Sequence, residues 1–408
     1  MGPITLFDKS FLQGLSVDEA VWFDHFFYPV IAPLFYIETL ADLQKLAKGG
    51  RTAEQVVATI AAKTPQMSGG PVYFHQYLAQ GALLGYAVPM DGRIPIAYGR
   101  TVSHNGKKAT YIDQPPEYVA FQRWQQGRFE HVEYRYAKAW RDYLAQIDLG
   151  PLRGAIQANG GVRCRDLGEA KARAVAVVNT LHKSSGRFNT ALDILGIEGR
   201  AREIAKDRWK HDGRPSFARF APYVTYVLTV EVFFHIAVAS DLIASTRPSH
   251  RIDIGYLHYL PFCHIFVSTD KLHRNCAPQF LRENQRFVWG QDLKTDLAAI
   301  NAHYTALDES ERARGIYRFA NRLPEINLPT IRPLFEQFTP SLLRAPEHTS
   351  LPTDLHSRHI AELEAIRTAP SISDPQPLED LDQLVIERRL DRQRGSWTVV
   401  PPEVTDGG

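Results

Sequence analysis

The chain has 408 residues, 44% of them hydrophobic and 23% charged, with a formal net charge of +2. That is long enough for one large or several smaller domains with a sizeable core, and ordinary enough to exclude a collagen-like, disulfide-stapled or wholly disordered protein. The near-zero net charge excludes a global electrostatic footprint, so any nucleic-acid partner must be met by local charge. Three unpatterned cysteines, Cys164, Cys263 and Cys276, point to a reducing, cytoplasmic setting. The N-terminus lacks the basic region and unbroken apolar stretch of a signal peptide.

The first elements read as strand, helix, strand, helix. Ile4-Thr5-Leu6-Phe7 is a buried strand that ends at Asp8, with Ser10 two residues on. Ser16-Val17-Asp18-Glu19 is a capping box opening a helix that Tyr28-Pro29 ends. Val30-Ile31-Ala32 is a second strand, and Leu34 to Leu46 a helix carrying Glu38, with Asp42 one turn further on the same face. After the Gly49-Gly50 break come helices over 52–64 and 75–85. Asn105-Gly106 marks a hairpin turn between strands near 94–98 and 109–112. A long helix is predicted over 117–147, broken at Gly127, with further helices over 168–183 and 189–209. The apolar stretch 216–245 contains Glu231 and His235 near its middle, which favours a buried core helix over a membrane span. Between Pro116 and Phe220 there are 19 Lys and Arg against 12 Asp and Glu. The interleaved aromatics there suit either single-stranded nucleic acid or plain inward packing; Arg123, Arg128, Arg135 and Arg141 are the candidate phosphate contacts.

Asp253, in Arg251-Ile252-Asp253-Ile254, opens a helix. Ile265-Phe266-Val267 is a strand that runs into Ser268-Thr269-Asp270. Asp8, Glu38, Asp253 and Asp270 thus sit in four short apolar contexts, two of them at strand ends. Converging carboxylates suit Mg²⁺ or Mn²⁺, and through them two-metal phosphodiester hydrolysis. Each acid alone also reads as a helix cap or a solvated charge. A zinc reading rests on His258, Cys263, His264, His273 and Cys276, whose spacing fits no standard finger. From about Pro346 the chain turns polar, Pro-rich and acidic, as a disordered tail would, with a short helix near 355–367.

The strand-Asp-x-Ser opening, the Glu-bearing helix, the helix starting at an Asp and the strand ending in Ser-Thr-Asp together resemble the PIN-like nuclease family. The resemblance implies an α/β fold: a PIN-like three-layer core with a mostly parallel sheet, formed by residues 1–47 and 216–340. It is interrupted by a mainly helical insertion with a β-hairpin at 48–215 and followed by the tail at 346–408. It implies a Mg²⁺- or Mn²⁺-dependent phosphodiester hydrolase in which Asp8, Glu38, Asp253 and Asp270 hold the metal. Ser10, Arg251, Ser268, Lys271, His273 and Arg274 would then meet substrate. RNA is favoured over DNA, and a protein inhibitor or regulator is a further partner in that reading. The alternative is an inactive PIN-like module that binds nucleic acid or protein.

Overall fold

The computed structural model describes residues 2–45, 50–66, 72–97, 99–104, 107–112, 115–149, 163–343, 353–371, 384–386 and 390–400. Strand β1 (Ile4–Phe7) leads into α1 (Lys9–Gly14) and α2 (Val17–Phe26). The expected capping box is present. The Glu19 N–H donates to Ser16 Oγ at 3.0 Å, and the Ser16 N–H donates to Glu19 Oε2 at 2.6 Å. Then follow β2 (Tyr28–Val30) and α3 (Pro33–Ala41), which has Pro at its first position where no N–H is needed. The helix predicted to reach Leu46 stops earlier, passing into a 3₁₀ turn at Asp42–Gln44.

The middle of the chain forms α4 (Ala53–Lys63), α5 (His75–Leu84), the hairpin β3 (Gly99–His104) and β4 (Lys107–Ile112), then α6 (Pro116–Gln125) and α7 (His131–Gln146). The hairpin lies where predicted, but its first strand begins at Gly99 rather than Ile94; Asn105 and Gly106 fall outside the described residues. The helix predicted over 117–147 is two helices, because Gly127 adopts φ +69°, a left-handed conformation that ends a helix. Next come α8 (Leu167–Val178), α9 (Ser185–Ile194), α10 (Gly199–His211), α11 (Phe217–Phe220) and α12 (Pro222–Ala239). Helix α13 (His250–Asp253) and a 3₁₀ run at Ile254–Phe262 lead to β5 (Ile265–Ser268), α14 (Lys271–Cys276), β6 (Arg286–Trp289) and α15 (Gly290–Thr305).

The central sheet is parallel throughout, in the order β2-β1-β5-β6, with Leu6 paired to Val30 on one side and to Phe266 on the other. Alternate residues feed two cores. Leu6, Val30 and Phe266 face a layer containing α5, α8, α9, α10 and α12. Phe7, Ile265, Val267 and Val288 face a layer containing α1, α2, α4, α6 and α15. The fold is therefore a mixed α/β sandwich. The segment expected to be a separate helical insertion is divided between both faces of the sheet. The reason is visible in its apolar stripes: Val57, Ile60, Phe121 and Trp124 join one core, while Leu78, Leu83, Phe188 and Trp209 join the other.

Helix α12 is long and apolar enough to cross a membrane, but 72% of it is buried inside the fold. Its charges are used there, as described below.

The stretch expected to be a disordered tail is partly folded. Thr353–Thr368 is helical, and residues 390–400 pack onto α2 and α15. Trp397 is 1% exposed, and its indole N–H and that of Trp22 both donate to Asn301 Oδ1 at 2.9 Å. Arg394 is buried against Asp24 at 2.6 Å. One Trp and one Arg, each with a waiting partner, outweigh the polar composition around them.

Candidate functional site

The two central strands leave the sheet in opposite senses. The chain moves from β1 outward to β2, and from β5 outward to β6. The crevice beyond their carboxyl ends is a topological switch point, where open α/β sheets bind ligands. Asp8 follows β1 and the Ser268-Thr269-Asp270 run ends β5, so the pairing of Phe7 with Val267 brings both motifs to this crevice.

A knot of hydrogen bonds joins them. Asp8 caps α1 by accepting from the Phe11 N–H at 2.9 Å. Its Oδ2 accepts from the hydroxyls of Ser10 and Ser268, both at 2.7 Å, and lies 3.2 Å from His273 Nδ1. Ser268 Oγ lies 2.9 Å from the same nitrogen and accepts from the Asp270 N–H at 2.9 Å. Asp270 caps α14 through the Leu272 N–H at 2.6 Å. The far nitrogen of the imidazole, His273 Nε2, lies 2.8 Å from the Asp253 carbonyl oxygen. Glu38 enters from α3, with its Oε2 accepting from the Tyr256 hydroxyl at 2.5 Å. Lys9 donates to the Glu38 carbonyl at 2.8 Å and pairs with buried Asp42 at 2.7 Å, fixing α3 against β1.

The electrostatics show the four acids sharing one neighbourhood. Burial, then the charges of Glu38, Asp270 and Asp8, push the Asp253 carboxyl up to about 8 against the pull of His273. Burial raises Glu38 as well, with Asp8 adding to it; Lys9 and the Tyr256 hydroxyl oppose the rise. Asp8 is the exception. Burial works against its ionised form, yet His273, Ser10 and the Phe11 N–H hold it below the usual carboxylate range. Burial alone would neutralise His273, but its bond to Asp8 and the neighbouring charges lift it to about 9. An imidazolium thus stands among an excess of carboxylates.

The structure places the expected residues unevenly. Asp8, Glu38, Asp253 and Asp270 are brought to one edge of the sheet. Asp8 is buried, while the other three are partly accessible. Asp8 and Asp270 are also helix caps, so the structural and chemical readings of these two coexist. Asp253 is not the cap it resembled, since its side chain accepts no capping bond. Ser10 and Ser268 are turned inward to Asp8, so that Ser268 orients a carboxylate, one of the roles open to it in the sequence. His273, expected to touch substrate, is 1% exposed and is an internal partner of Asp8. Arg251, also expected at substrate, points away and pairs with Glu231 of α12 at 2.7 Å. Lys271 and Arg274 remain exposed, Arg274 lying 5.0 Å over the Trp289 ring. The residues that sequence reading missed are Lys9, Asp42 and Tyr256. Asp42, read in sequence only as sharing the Glu38 face, is 1% exposed. Its place one turn after Glu38, and that of Lys9 directly after Asp8, were the available signals.

No zinc cluster forms. His264 stacks on Phe338, His273 belongs to Asp8, and burial pushes the thiols of Cys263 and Cys276 up to about 12. Among the described residues no three His, Cys, Asp or Glu side chains are gathered closely enough to hold a metal ion. The donor set of the acid knot, carboxylates and hydroxyls, is nonetheless the hard-oxygen type that suits Mg²⁺ or Mn²⁺. In the basic, aromatic segment the inward-packing reading holds for Trp124. Trp124 is buried and donates to Glu133 at 2.9 Å, and Arg123 pairs with Glu133 at 2.7 Å. Compared with protein-family models, with curated proteins and with solved structures, the chain matches none.

Proposed function

We propose that this chain is a PIN-like, divalent-cation-dependent nuclease that hydrolyses phosphodiester bonds at the crevice between β1 and β5. The observation that carries the reading is the convergence of four acids, distant in sequence, on the carboxyl edge of a parallel sheet at its switch point. An excess of mutually repelling carboxylates is unfavourable for folding and useful for cations.

Asp8, Glu38, Asp253 and Asp270 would hold the metal by drawing closer together than they stand in this structure. When bound, Mg²⁺ or Mn²⁺ supplies a hydroxide near neutral pH and stabilises the leaving 3′ oxygen. The protein's own part is orientation. Ser10 and Ser268 fix Asp8 Oδ2, Tyr256 fixes Glu38, and Lys9 holds the helix that carries it. Exposed Lys271 and Arg274 flank the crevice and suit the phosphates on either side of the cleaved bond. The family resemblance favours RNA as substrate.

The second reading, an inactive PIN-like binding module, is favoured by one observation: Asp8 Oδ2 is already engaged by two hydroxyls and an imidazole. The deciding experiment incubates the chain with end-labelled single-stranded RNA and DNA, in Mg²⁺, Mn²⁺ or EDTA. Cation-dependent cleavage that Asp8→Asn and Asp270→Asn abolish supports the nuclease. Binding without cleavage in any cation supports the second reading. Cleavage that survives both substitutions and EDTA defeats the first.

A further inference from the structure

We infer that the outer surface formed by α5 and α10 is a stacking platform for single-stranded nucleic acid, remote from the acid knot. It rests on the nuclease reading only for the class of its partner.

The two helices lie side by side and run in the same direction. At their starts, Gly196, just ahead of α10, faces Gln76 of α5: a Cβ on the glycine would meet Gln76 Nε2 at 3.4 Å. At their ends, Arg208 of α10 closes α5, donating to the carbonyls of Ala82 at 3.2 Å and Leu83 at 2.9 Å. Those carbonyls are among the four that a helix leaves unpaired at its C-terminus. Ala205 and Trp209 of α10 face the core, and so do Leu78, Ala79, Ala82 and Leu83 of α5. The opposite face of α5 carries Tyr77, which is 69% exposed, and one turn later Gly81. Tyr86 is 65% exposed and rests on that glycine, where a Cβ would meet its ring at 3.7 Å and nothing else. Two large aromatic rings are therefore mostly exposed on this side of α5, Tyr86 lying against Gly81 one turn after Tyr77. Such rings are ordinarily placed where one face meets a partner.

Charge says which partner. Residues 199–219 hold seven Lys and Arg against three Asp and Glu. The helical repeat puts Arg200, Ile204, Arg208 and His211 of α10 on one side, next to α5, with Arg208 itself held by Asp212 at 3.7 Å and lying over the Phe220 ring. Arg202 and Lys210 are paired with Asp193 and Asp207, whereas Arg200 makes no ion pair among the described residues. Exposed rings that accept any base, together with the Arg200 guanidinium, which would accept any phosphate, are the elements of sequence-tolerant single-strand binding. The platform serves as a second contact that holds a long substrate while the crevice acts on another part of it.

The test is fluorescence anisotropy with labelled 12-nucleotide single-stranded RNA and DNA, in EDTA so that cleavage and cation-mediated contacts are absent. The proteins are wild type, Tyr77→Ala/Tyr86→Ala and Arg200→Gln. The expected result is that the double tyrosine variant binds at least about tenfold more weakly. Arg200→Gln is expected to flatten the salt dependence by about one unit of slope. Cleavage by wild type is scored separately in Mg²⁺: binding without cleavage defeats the nuclease reading and leaves the platform standing, which separates the two failures. Because both tyrosines are exposed, thermal melting should be unchanged. A 4-thiouridine RNA crosslinked to wild type by light should attach at Tyr77 or Tyr86. Absence of binding by wild type, equal binding by the tyrosine variant, or crosslinks confined to other surfaces would each overturn the inference.

Discussion

Two buried charge clusters lie two residues apart in the chain and are built on opposite principles. At Arg251 the negative charge is matched. Glu231 of α12 receives Arg251 through both guanidinium nitrogens, at 3.1 and 2.7 Å, and lies 3.0 Å from His258 Nε2. Burial would raise its carboxyl, but Arg251 and His258 hold it well below the usual range. At Asp253 the negative charge is in excess, and the carboxyl rises to about 8. The lesson is that burial alone does not mark a functional acid. A carboxylate with its own cation is a fastening; carboxylates competing for one imidazolium form a site with room for positive charge.

The largest test removes the match. Arg251→Ala leaves Glu231 buried beside His258 alone, and should destabilise the fold by about 3 kcal/mol in urea or thermal melts. A cost below about 1 kcal/mol would show the Glu231 cluster to be no fastening. Next in size is catalysis: Asp270→Asn should remove nuclease activity while costing little stability, since Asn caps a helix as well as Asp does. Global unfolding of this variant would make Asp270 a structural acid after all.

The pH dependence should separate the clusters by sign. Asp253 has a raised carboxyl, so its protonated form stabilises the metal-free fold below pH 4 and that contribution is lost as pH rises towards about 8. Asp253→Asn should therefore gain stability relative to wild type between pH 5 and 8, and added Mg²⁺ should narrow the difference. Glu231 has a lowered carboxyl, so its contribution is present at neutral pH and is lost on acidification below the usual carboxylate range. Melts of Asp253→Asn and Arg251→Ala beside wild type across pH 3 to 8 check the two slopes. The smallest expected effect is that of Arg123→Gln: its partners Glu133 and Glu130 are on its own surface, so nucleic-acid affinity should not change.

Much of this was legible because local chemistry and global fold agree. The Ser16–Glu19 cap, the strand ending at Asp8 and the strand ending at Ser268 are short-range patterns, and the parallel pairing of β1 with β5 follows from two buried apolar runs. The convergence of four acids was legible only as an order of motifs. What sequence could not give was the direction of side chains. Ser268 and His273 look outward-facing in sequence, yet Asp8 needs their hydrogen bonds more than solvent does. Arg251 sits beside Asp253 in the chain, but a buried glutamate on another helix claims it. The polar composition of the last residues likewise hid one tryptophan with a reserved place.

That place sets an order for assembly. Trp22 and Trp397 share one acceptor, Asn301, and Asp24 waits for Arg394 across 370 positions of chain. The layer that α2 begins is therefore completed only once Arg394 and Trp397 have been made. Contacts of such long range slow folding, because the loop between them must close before they contribute. During synthesis, Asp24 and the face of Trp22 remain without their final cover while the rest of the sheet forms, and residues 390–400 act as the seal.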